Sequence, residues 1–288
     1  MKIIVPATSA NLGPGFDSLG IALNSFLVVE TLEPANEWRV DHPFGPKVPS
    51  NQYNLVVRTA LAIKPDLAPQ HLKVTSNIPL ARGLGSSSSA IVAGLMLANE
   101  LGAMGLDQTM LLQLATRLEG HPDNVAPAIL GDFSVATYDE DWCDAVKMDF
   151  PKLDFVAYIP DKELRTKESR EALPSKLDYP KAIHTGSVGN VYIAAIASKN
   201  IELMGRMMIR DEFHEPYRLK LVPELEEIRQ VLQHTAHVGT YLSGAGPTVM
   251  TVTQKQETEQ VVARLQTHFS TGEVRVMHID RLGARVIK

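Results

Sequence analysis

The sequence has one cysteine, no long apolar run and no excess of basic residues, and each absence excludes a class of protein. Cys143 is the single cysteine among 288 residues, which excludes an intrachain disulfide framework and a multi-cysteine metal cage. We interpret it as a structural thiol in a reducing cytoplasm, because no activating motif surrounds it. The densest apolar run, residues 90–98, is much shorter than the roughly 20 residues of a helical membrane span. The apolar residues 3–5 are too few for a signal peptide, so the sequence predicts a soluble, cytoplasmic protein.

Charge is nearly balanced along the chain. The sequence has 28 Lys and Arg residues against 33 Asp and Glu residues, a formal net charge of −5 at pH 7. This balance lacks the basic excess of a general nucleic-acid-binding protein, so neither nucleic acid nor a membrane is an expected partner. It is compatible with a local cationic pocket, and therefore with an enzyme that acts on anionic substrates. The chain also lacks internal repeats, charge blocks and Ser/Gly-rich linkers.

The length suits one large domain or two medium ones, and a change of pattern past residue 151 places a soft boundary near residue 150, between residues 1–150 and 151–288. In the first domain, strands are predicted at residues 2–5, 21–32, 38–41 and 72–78, and helices at 55–63, 86–101 and 106–119. The segment 38–41 is expected to pair with 21–32. In the second domain, strands are predicted at 155–159, 239–242, 248–253 and 274–279, and helices at 188–198, 201–209, 223–234 and 257–269. The resulting order, β-α-α-α-β-β-α-β, is a split βαβ pattern with extra helices.

A glycine- and serine-rich segment between a predicted strand and a predicted helix is the strongest local indication of a ligand site. Its sequence is Pro79-Leu80-Ala81-Arg82-Gly83-Leu84-Gly85-Ser86-Ser87-Ser88-Ser89. The glycines allow close approach of the backbone to a ligand and positive φ angles. The serines fall at a helix start, where free N–H groups and the helix dipole attract anions. A triphosphate suits this geometry best, and an ordinary helix-capping turn is the alternative.

Two common nucleotide-binding motifs do not fit this segment. A Walker A loop needs Gly-Lys-Ser/Thr, which is absent, and the dinucleotide pattern GxGxxG would need glycine at position 88, which is serine. Two further segments of small residues, 6–17 and 243–248, each also fit an ordinary turn. Together, however, these two segments of small residues would let two stretches of backbone approach the same ligand closely.

These segments resemble, in the same order, the three signature motifs of the GHMP kinase superfamily. Residues 6–17 and the segment Glu119-Gly120-His121-Pro122-Asp123-Asn124-Val125-Ala126-Pro127 are most similar to the branch that phosphorylates L-homoserine. The resemblance extends from residue 2 to beyond residue 250. It implies an α+β, two-domain GHMP kinase fold, with an N-terminal domain like ribosomal protein S5 domain 2 and a ferredoxin-like C-terminal domain. It also implies transfer of the γ-phosphoryl group of ATP, with Mg²⁺, to the homoserine side-chain hydroxyl, giving O-phospho-L-homoserine in threonine biosynthesis.

The resemblance assigns ATP and Mg²⁺ to particular residues. Residues 79–89 are expected to surround the ATP phosphates, and Asn54 and Leu55 to begin the adenine pocket. Ser86 and Glu119 are the expected Mg²⁺ ligands, because an ion that also binds phosphate oxygens and water needs few protein ligands. Only Gly120 separates Glu119 from His121, a shorter spacing than in some members of the family, which leaves open whether Glu119 reaches the metal. Arg82 either contacts a phosphate or faces solvent.

For the amino-acid substrate, the resemblance implies a binding group for each polar end of the molecule. Asp17 is expected to bind the ammonium group, and the guanidinium groups of Arg170 and Arg218 to bind the carboxylate. Thr166 lies four residues before Arg170, so both would face one side of a helix. The remaining residues expected to bind substrate are Asn11, His121 and Asn124, and the expected catalytic residues are Asn124, Asp123 and Arg170.

The chemistry is expected to rest on positioning and charge neutralisation, because a loose phosphoryl-transfer transition state needs little covalent assistance. Asp123 is the nearest candidate for a general base, and the Asp–Lys pair proposed as base in related kinases is not evident. Two alternatives stay open: another GHMP kinase of small molecules, such as one acting on mevalonate, and a non-catalytic regulator with this fold. A homodimer is a further open prediction.

Overall fold

The computed structural model describes all 288 residues and contains two antiparallel-dominated β-sheets with ten helices. The strands are β1 (Lys2–Ala10), β2 (Leu19–Pro34), β3 (Arg39–Asp41), β4 (Gln70–Ser76), β5 (Phe133–Tyr138), β6 (Cys143–Met148), β7 (Asp154–Ile159), β8 (Gly239–Leu242), β9 (Val249–Thr253), β10 (Glu273–Met277) and β11 (Arg285–Ile287). The helices are α1 (Leu55–Ile63), α2 (Ser86–Leu101), α3 (Gln108–Glu119), α4 (Pro122–Leu130), α5 (Thr166–Glu171), α6 (Tyr179–Ala197), α7 (Ile201–Met208), α8 (Glu215–Arg218), α9 (Glu224–Val231) and α10 (Thr258–His268).

The first sheet has seven strands and is built around the long strand β2. Its path runs β11-β1-β2-β4-β3, and β5 pairs with the first residues of β2 and carries β6 on its other side. Helix α2 lies against β1 and between α1 and α3. Every residue of α2 from Ser88 to Ala98 is buried, as expected for a helix that is apolar around its whole circumference. The N-terminus of this buried helix is therefore fixed rigidly in the protein.

The second sheet has four strands in the spatial order β10-β7-β9-β8, and all of its pairs are antiparallel. In chain order this is 4-1-3-2, with helices between the first and second strands and between the third and fourth. This arrangement is the ferredoxin-like fold, so the split βαβ pattern predicted from the sequence is confirmed.

The two halves of the chain share a core. A cluster of 52 buried apolar residues extends from the first sheet to α6, α7 and the second sheet, for example from Ala7 to Tyr192 and Met250. The chain end also returns to the first sheet, because β11 pairs antiparallel with β1, with Lys2 opposite Ile287. The domain boundary near residue 150 stays a prediction, and the last strand belongs to the sheet of the first half.

Several predicted elements have the predicted bounds, and the differences have local causes. Helices 55–63 and 86–101 and strand 239–242 are confirmed. The turn predicted from Pro6 begins only after Ala10, because a register shift between Pro6 and Ala7 accommodates the proline inside β1. The predicted pairing of segment 38–41 with β2 is wrong, since β3 pairs in parallel with β4.

Helix α4 and the hairpin β5–β6 were not expected from the sequence. The His-Pro-Asp-Asn segment looks like a turn, but Pro122 occupies the first helical position, where its missing N–H costs little. Helix α4 thereby carries Asp123 and Asn124 in its first turn.

None of the helices combines the length and the apolar character that crossing a bilayer requires.

Candidate active site

A cavity of about 410 Å³ lies between the two halves of the molecule and contains most of the predicted site residues. The first half contributes the β1–β2 turn, the loop before α2 and the start of α4, and the second half contributes α5, α8 and residues 244–246. The predicted residues on its wall are Asn11, Asp17, Asn54, Leu55, Leu80, Ala81, Gly83, Gly85, Ser86, Ser87, Ser88, Glu119, His121, Asp123, Asn124, Thr166, Arg170 and Arg218.

Four residues predicted to bind ATP phosphates do not line the cavity: Pro79, Arg82, Leu84 and Ser89. Leu84 is buried in the core, and the buried Ser89 hydroxyl donates to the carbonyls of Pro6 and Gly85, each at 2.9 Å. The Arg82 guanidinium donates to the carbonyls of Pro160 at 2.9 Å and Asp161 at 2.5 Å. Arg82 thus links the loop to the second half of the chain. This role is neither of the two considered from the sequence, a phosphate contact or exposure to solvent.

The start of α2 forms an open anion site. No side chain caps the helix N-terminus, and Ser86, Ser87 and Ser88 line the cavity there. Gly85, just before the helix, has φ +67°, and a Cβ on it would lie 2.0 Å from Thr8 Oγ1. Glycine is therefore required at this position both by backbone conformation and by the close approach of β1. The free N–H groups and the helix dipole favour an anionic ligand at this end of the cavity.

Glu119 lies beside this helix start. Its Oε1 accepts a hydrogen bond from Ser88 Oγ at 2.7 Å, and both residues line the cavity. Gly120 ends α3 in the left-handed conformation, with φ +88°, and so turns the chain directly into α4. The short spacing between Glu119 and His121 left open whether Glu119 reaches the metal. With the chain turned at Gly120, this spacing is compatible with a position of Glu119 beside α2. A carboxylate and a hydroxyl are hard oxygen donors that fit Mg²⁺, and Ser88, not Ser86, is the serine in contact with Glu119.

The β1–β2 turn brings two predicted substrate residues to the cavity in unusual backbone conformations. Asn11 and Asp17 both have positive φ, at 72° and 56°. The Asn11 side chain accepts from the Asp17 N–H at 3.2 Å and donates to the Gly244 carbonyl at 3.1 Å. Asn11 therefore fixes the shape of the turn and links it to the 244–246 loop of the second half.

Two arginines and the carboxylate of Asp17 line a further part of the same cavity. Arg170 donates from both terminal nitrogens to Asp17, at 2.6 and 3.0 Å. Arg218 is only 2% exposed and donates from Nε to the Ser169 carbonyl and from Nη1 to the Gly244 carbonyl, both at 3.2 Å. Burial, together with the charge of Arg170, lowers the pKa of Arg218 to about 10, so it is cationic at neutral pH.

The first turn of α4 holds a short polar chain. His121 Nδ1 lies 2.5 Å from Asp123 Oδ1, and Asn124 Oδ1 accepts from Thr8 Oγ1 at 2.8 Å. Burial lowers the pKa of His121, but the charge and hydrogen bond of Asp123 outweigh burial and leave that pKa above its ordinary value. Asp17, His121 and Asp123 have potential ligand atoms within 4.8 Å of one another. We interpret this cluster as an ion-pair network, because Arg170 faces Asp17 and His121 faces Asp123.

Some residues of the site were not predicted from the sequence. Phe16, Arg165 and residues 244–246 line the cavity, and Thr8 contacts Asn124 from β1. Thr8, Phe16 and residues 244–246 fall in the two segments of small residues whose closure on one ligand was expected. Arg165 has no such indication in the sequence.

Comparison with known proteins gives consistent matches over the whole chain. Residues 54–132 match the family described as GHMP kinases N terminal domain, and residues 192–271 match GHMP kinases C terminal. A homoserine kinase of Streptococcus sanguinis (strain SK36) is 49% identical over 288 residues, which covers 100% of each chain. A homoserine kinase of Enterococcus faecalis is 48% identical over 286 residues, 99% of this chain and 100% of the relative. A solved structure from Listeria monocytogenes, of a protein provisionally named homoserine kinase, matches with a TM-score of 0.90 and 39% identity. The match covers 100% of this chain and 99% of the other.

Gly85→Ala tests the anion site. We expect the added Cβ, which would lie 2.0 Å from Thr8 Oγ1, to displace the loop and weaken ATP binding about tenfold or more by calorimetry. Gly105→Ala is the matched control, because Gly105 has almost the same φ, +68°, but nothing within 4 Å of its Cβ position. Both variants are expected to lose roughly 1–2 kcal/mol of stability from backbone strain. Unchanged ATP affinity in Gly85→Ala would contradict the assigned anion site.

The pairing of His121 with Asp123 predicts a pH dependence. We expect NMR titration of the imidazole to give a pKa above the ordinary value in the wild type and a lower one in Asp123→Asn, where burial then dominates. Because the folded-state pKa is raised, the stabilisation is present below the unfolded pKa and is lost as pH rises through the folded pKa. The exposed His234, which lies outside the cavity, serves as the internal reference signal in the spectra of both proteins. An identical His121 pKa in the two proteins would show that Asp123 is not its cause.

Proposed function

Because the chain belongs to the GHMP kinase family, we propose that it transfers the γ-phosphoryl group of ATP to the side-chain hydroxyl of L-homoserine. The product is O-phospho-L-homoserine, a step of threonine biosynthesis. One observation carries the proposal: a single cavity is lined both by a free helix N-terminus with Glu119 and by the Asp17–Arg170–Arg218 group. The helix N-terminus suits the phosphates of ATP, and the charged group suits the opposite charges of an amino acid. Full-length identity of 48–49% to homoserine kinases supports the same substrate.

The nucleotide is proposed to occupy the α2 side of the cavity. Its phosphates would contact the N–H groups at the start of α2 and the hydroxyls of Ser86, Ser87 and Ser88. Glu119 and Ser88 would hold Mg²⁺, with Ser86 as the ligand expected from the sequence. A bound Mg²⁺ supplies neutralisation of the phosphoryl oxygens during transfer. Because a Cβ on Gly85 would lie 3.2 Å from Asn124 Oδ1, a γ-phosphoryl group bound at the start of α2 would lie near the first turn of α4.

The adenine is proposed to lie against the apolar part of the wall, which contains Leu27, Phe44, Val48, Val56 and Val74. Asn54 stands at the entrance of this part, but both ends of its side chain are engaged. Its Oδ1 accepts from the Val56 N–H at 3.1 Å, and its Nδ2 donates to the Pro49 carbonyl at 2.9 Å. Asn54 thus caps α1 and shapes the adenine pocket, which leaves Leu55 and its neighbours to contact the base.

The amino acid is proposed to bind by replacing part of the Arg170–Asp17 ion pair. Its ammonium group would contact the Asp17 carboxylate, and its own carboxylate would contact Arg170 and Arg218. Arg218 Nη2 has no protein partner, so this nitrogen is available for the carboxylate. Asn11, Thr166 and His121 complete the wall around the acceptor.

Transfer itself is proposed to rest on positioning. Asn124 is oriented by Thr8, and its amide would hold the acceptor hydroxyl in line with the γ-phosphoryl group. Arg170 is near enough to Asp123 and Glu119 to interact with the charges of both, and its own charge would stabilise the transferring group. The Asp123 carboxylate is 3% exposed and already paired with His121, so we assign it an orienting role rather than that of general base.

A panel of acceptors tests the substrate. With ATP and Mg²⁺, ADP release measured by a coupled assay should be strong with L-homoserine and at background with mevalonate and galactose, because these lack an ammonium group for Asp17. ADP release with another acceptor but none with L-homoserine would refute the proposed substrate. Tight ATP binding without release for any acceptor would favour the non-catalytic regulator.

Asp123→Asn tests the absence of a general base. Asparagine keeps the size and hydrogen-bonding capacity of the side chain, so we expect kcat to stay within about tenfold of the wild type. Asp132→Asn is the matched control, since Asp132 is equally buried but pairs with Arg281 outside the cavity. A fall in kcat of more than about a thousandfold, specific to Asp123→Asn, would make Asp123 the base.

A cytoplasmic location and a homodimer, both considered from the sequence, stay proposals. The use of ATP as co-substrate and the buried, unpaired Cys143 support the first. Light scattering on the purified protein tests the second.

A further inference from the structure

Two aromatic side chains without an assigned role, Phe16 and His214, lie beside the arginine pair. The rings of Phe16 and His214 are stacked, with centroids 5.3 Å apart and planes inclined by 24°. The guanidinium carbon of Arg218 lies 5.2 Å from the centre of the Phe16 ring, and that of Arg170 lies 5.5 Å from it. Phe16 comes from the β1–β2 turn, whereas His214 precedes α8 in the second half of the chain.

We propose that the stacked pair Phe16–His214 is the positioning element of the carboxylate subsite, which holds the Arg218 guanidinium in a single orientation toward the substrate. The inference rests on the proposed function, because it takes an α-amino acid carboxylate as the ligand of Arg218. Neither side chain needs to touch the reacting atoms, so both act through the arginines.

The hydrogen bonds of His214 fix its proton. Its Nε2 lies 3.0 Å from the Gly13 carbonyl, which only accepts, so Nε2 carries the hydrogen. Its Nδ1 lies 3.1 Å from Arg218 Nη1, which only donates, so Nδ1 accepts. The neutral tautomer with hydrogen on Nε2 is therefore the one that satisfies both contacts.

The nearest carboxylate does not compete for this imidazole. Asp211 Oδ2 lies 3.6 Å from Nε2 of His214. That oxygen already accepts the N–H groups of His214 at 3.0 Å and Glu215 at 2.7 Å, while Oδ1 accepts that of Phe213 at 3.0 Å. Asp211 thus caps the start of α8, and His214 stays free to serve Arg218.

Together these contacts account for all but one nitrogen of Arg218. Nε donates to the Ser169 carbonyl, and Nη1 donates to both the Gly244 carbonyl and His214 Nδ1. Nη2 is left for the ligand. Since each arginine nitrogen has a fixed direction within the planar guanidinium, locking Nε and Nη1 also fixes where Nη2 points.

Phe16 addresses a second problem, which is the mutual repulsion of two guanidinium groups. The negative face of an aromatic ring attracts cations, and here one ring lies near both. The stack with His214 helps to hold that ring in place. The His214–Gly13 bond also anchors the turn that carries Phe16, at a point where a Cβ on Gly13 would lie 2.1 Å from the Met208 carbonyl.

Three substitutions separate the contacts of His214. His214→Phe keeps the stack and removes both hydrogen bonds, and should raise the homoserine KM about tenfold or more. His214→Asn loses the stack but places an oxygen near the former Nδ1, so its KM should lie between those of the wild type and His214→Phe, whereas His214→Gln keeps only the reach toward Gly13 and should show no such recovery. The KM for ATP should change less than about twofold in all three, because the phosphate end is untouched. The exposed His234→Phe is the control and should leave every kinetic constant unchanged.

Fluorinated phenylalanines at position 16 test the ring without changing the fold. Stepwise fluorination weakens the negative face at nearly constant size, so the homoserine KM should rise with each fluorine while the ATP KM stays constant. A homoserine KM that is independent of fluorination would overturn the role of Phe16. A crystal structure of His214→Phe should show the Arg218 guanidinium rotated from its present contacts.

The outcomes separate this inference from the proposed function. If the wild type releases ADP with a different carboxylate-bearing acceptor, the substrate is wrong, and the same variants are compared on the KM of that acceptor. Equal increases of both KM values, or equal effects of His214→Asn and His214→Phe, would show a merely structural role and overturn the positioning element. An Arg218 guanidinium that keeps its orientation in His214→Phe would do so as well.

Discussion

The free N-terminus of α2 is the constraint around which the site is arranged. Its first N–H groups have no side-chain cap, although the helix behind them is buried. The loop before it is therefore held by other means. Thr8 N donates to the Leu84 carbonyl at 3.3 Å from the first half, and Ser243 Oγ donates to the Gly83 carbonyl at 2.6 Å from the second. Both domains support the loop from outside, and its inner face stays open to an anion.

Charge is organised at the scale of the cavity and not of the whole chain. A protein with a net charge of −5 concentrates Arg170 and Arg218 around one carboxylate, that of Asp17. Bringing the two cations together is unfavourable in itself, and the charge of Arg170 adds to burial, the larger cause, in lowering the pKa of Arg218. The negative charge of Asp17 and the negative face of the Phe16 ring each offset part of this cost. In the proposed complex the substrate carboxylate would remove the remainder, so the same repulsion would favour its binding.

The sequence predicts what depends on neighbours along the chain and misses what depends on distant packing. The bounds of α2 follow from its glycine, serine and apolar run, and the second sheet follows from the order of its elements. Which serine meets Glu119 depends on the rotation of α2 against α3, so Ser88 could not be told from Ser86. Helix α4 was missed because the same Pro122 that suggests a turn also starts a helix. The contact of His214 joins residues 201 positions apart, which no local pattern encodes.

The return of β11 to β1 has a consequence for how the protein forms. Strand β1 pairs with β11, so the entire ferredoxin-like unit lies in the chain between two strands that are neighbours in the first sheet. Until β11 pairs with it, β1 is an open edge of the first sheet on that side. Covering this edge needs a contact between residues more than 280 positions apart, here Lys2 and Ile287, so it is among the most non-local steps in folding.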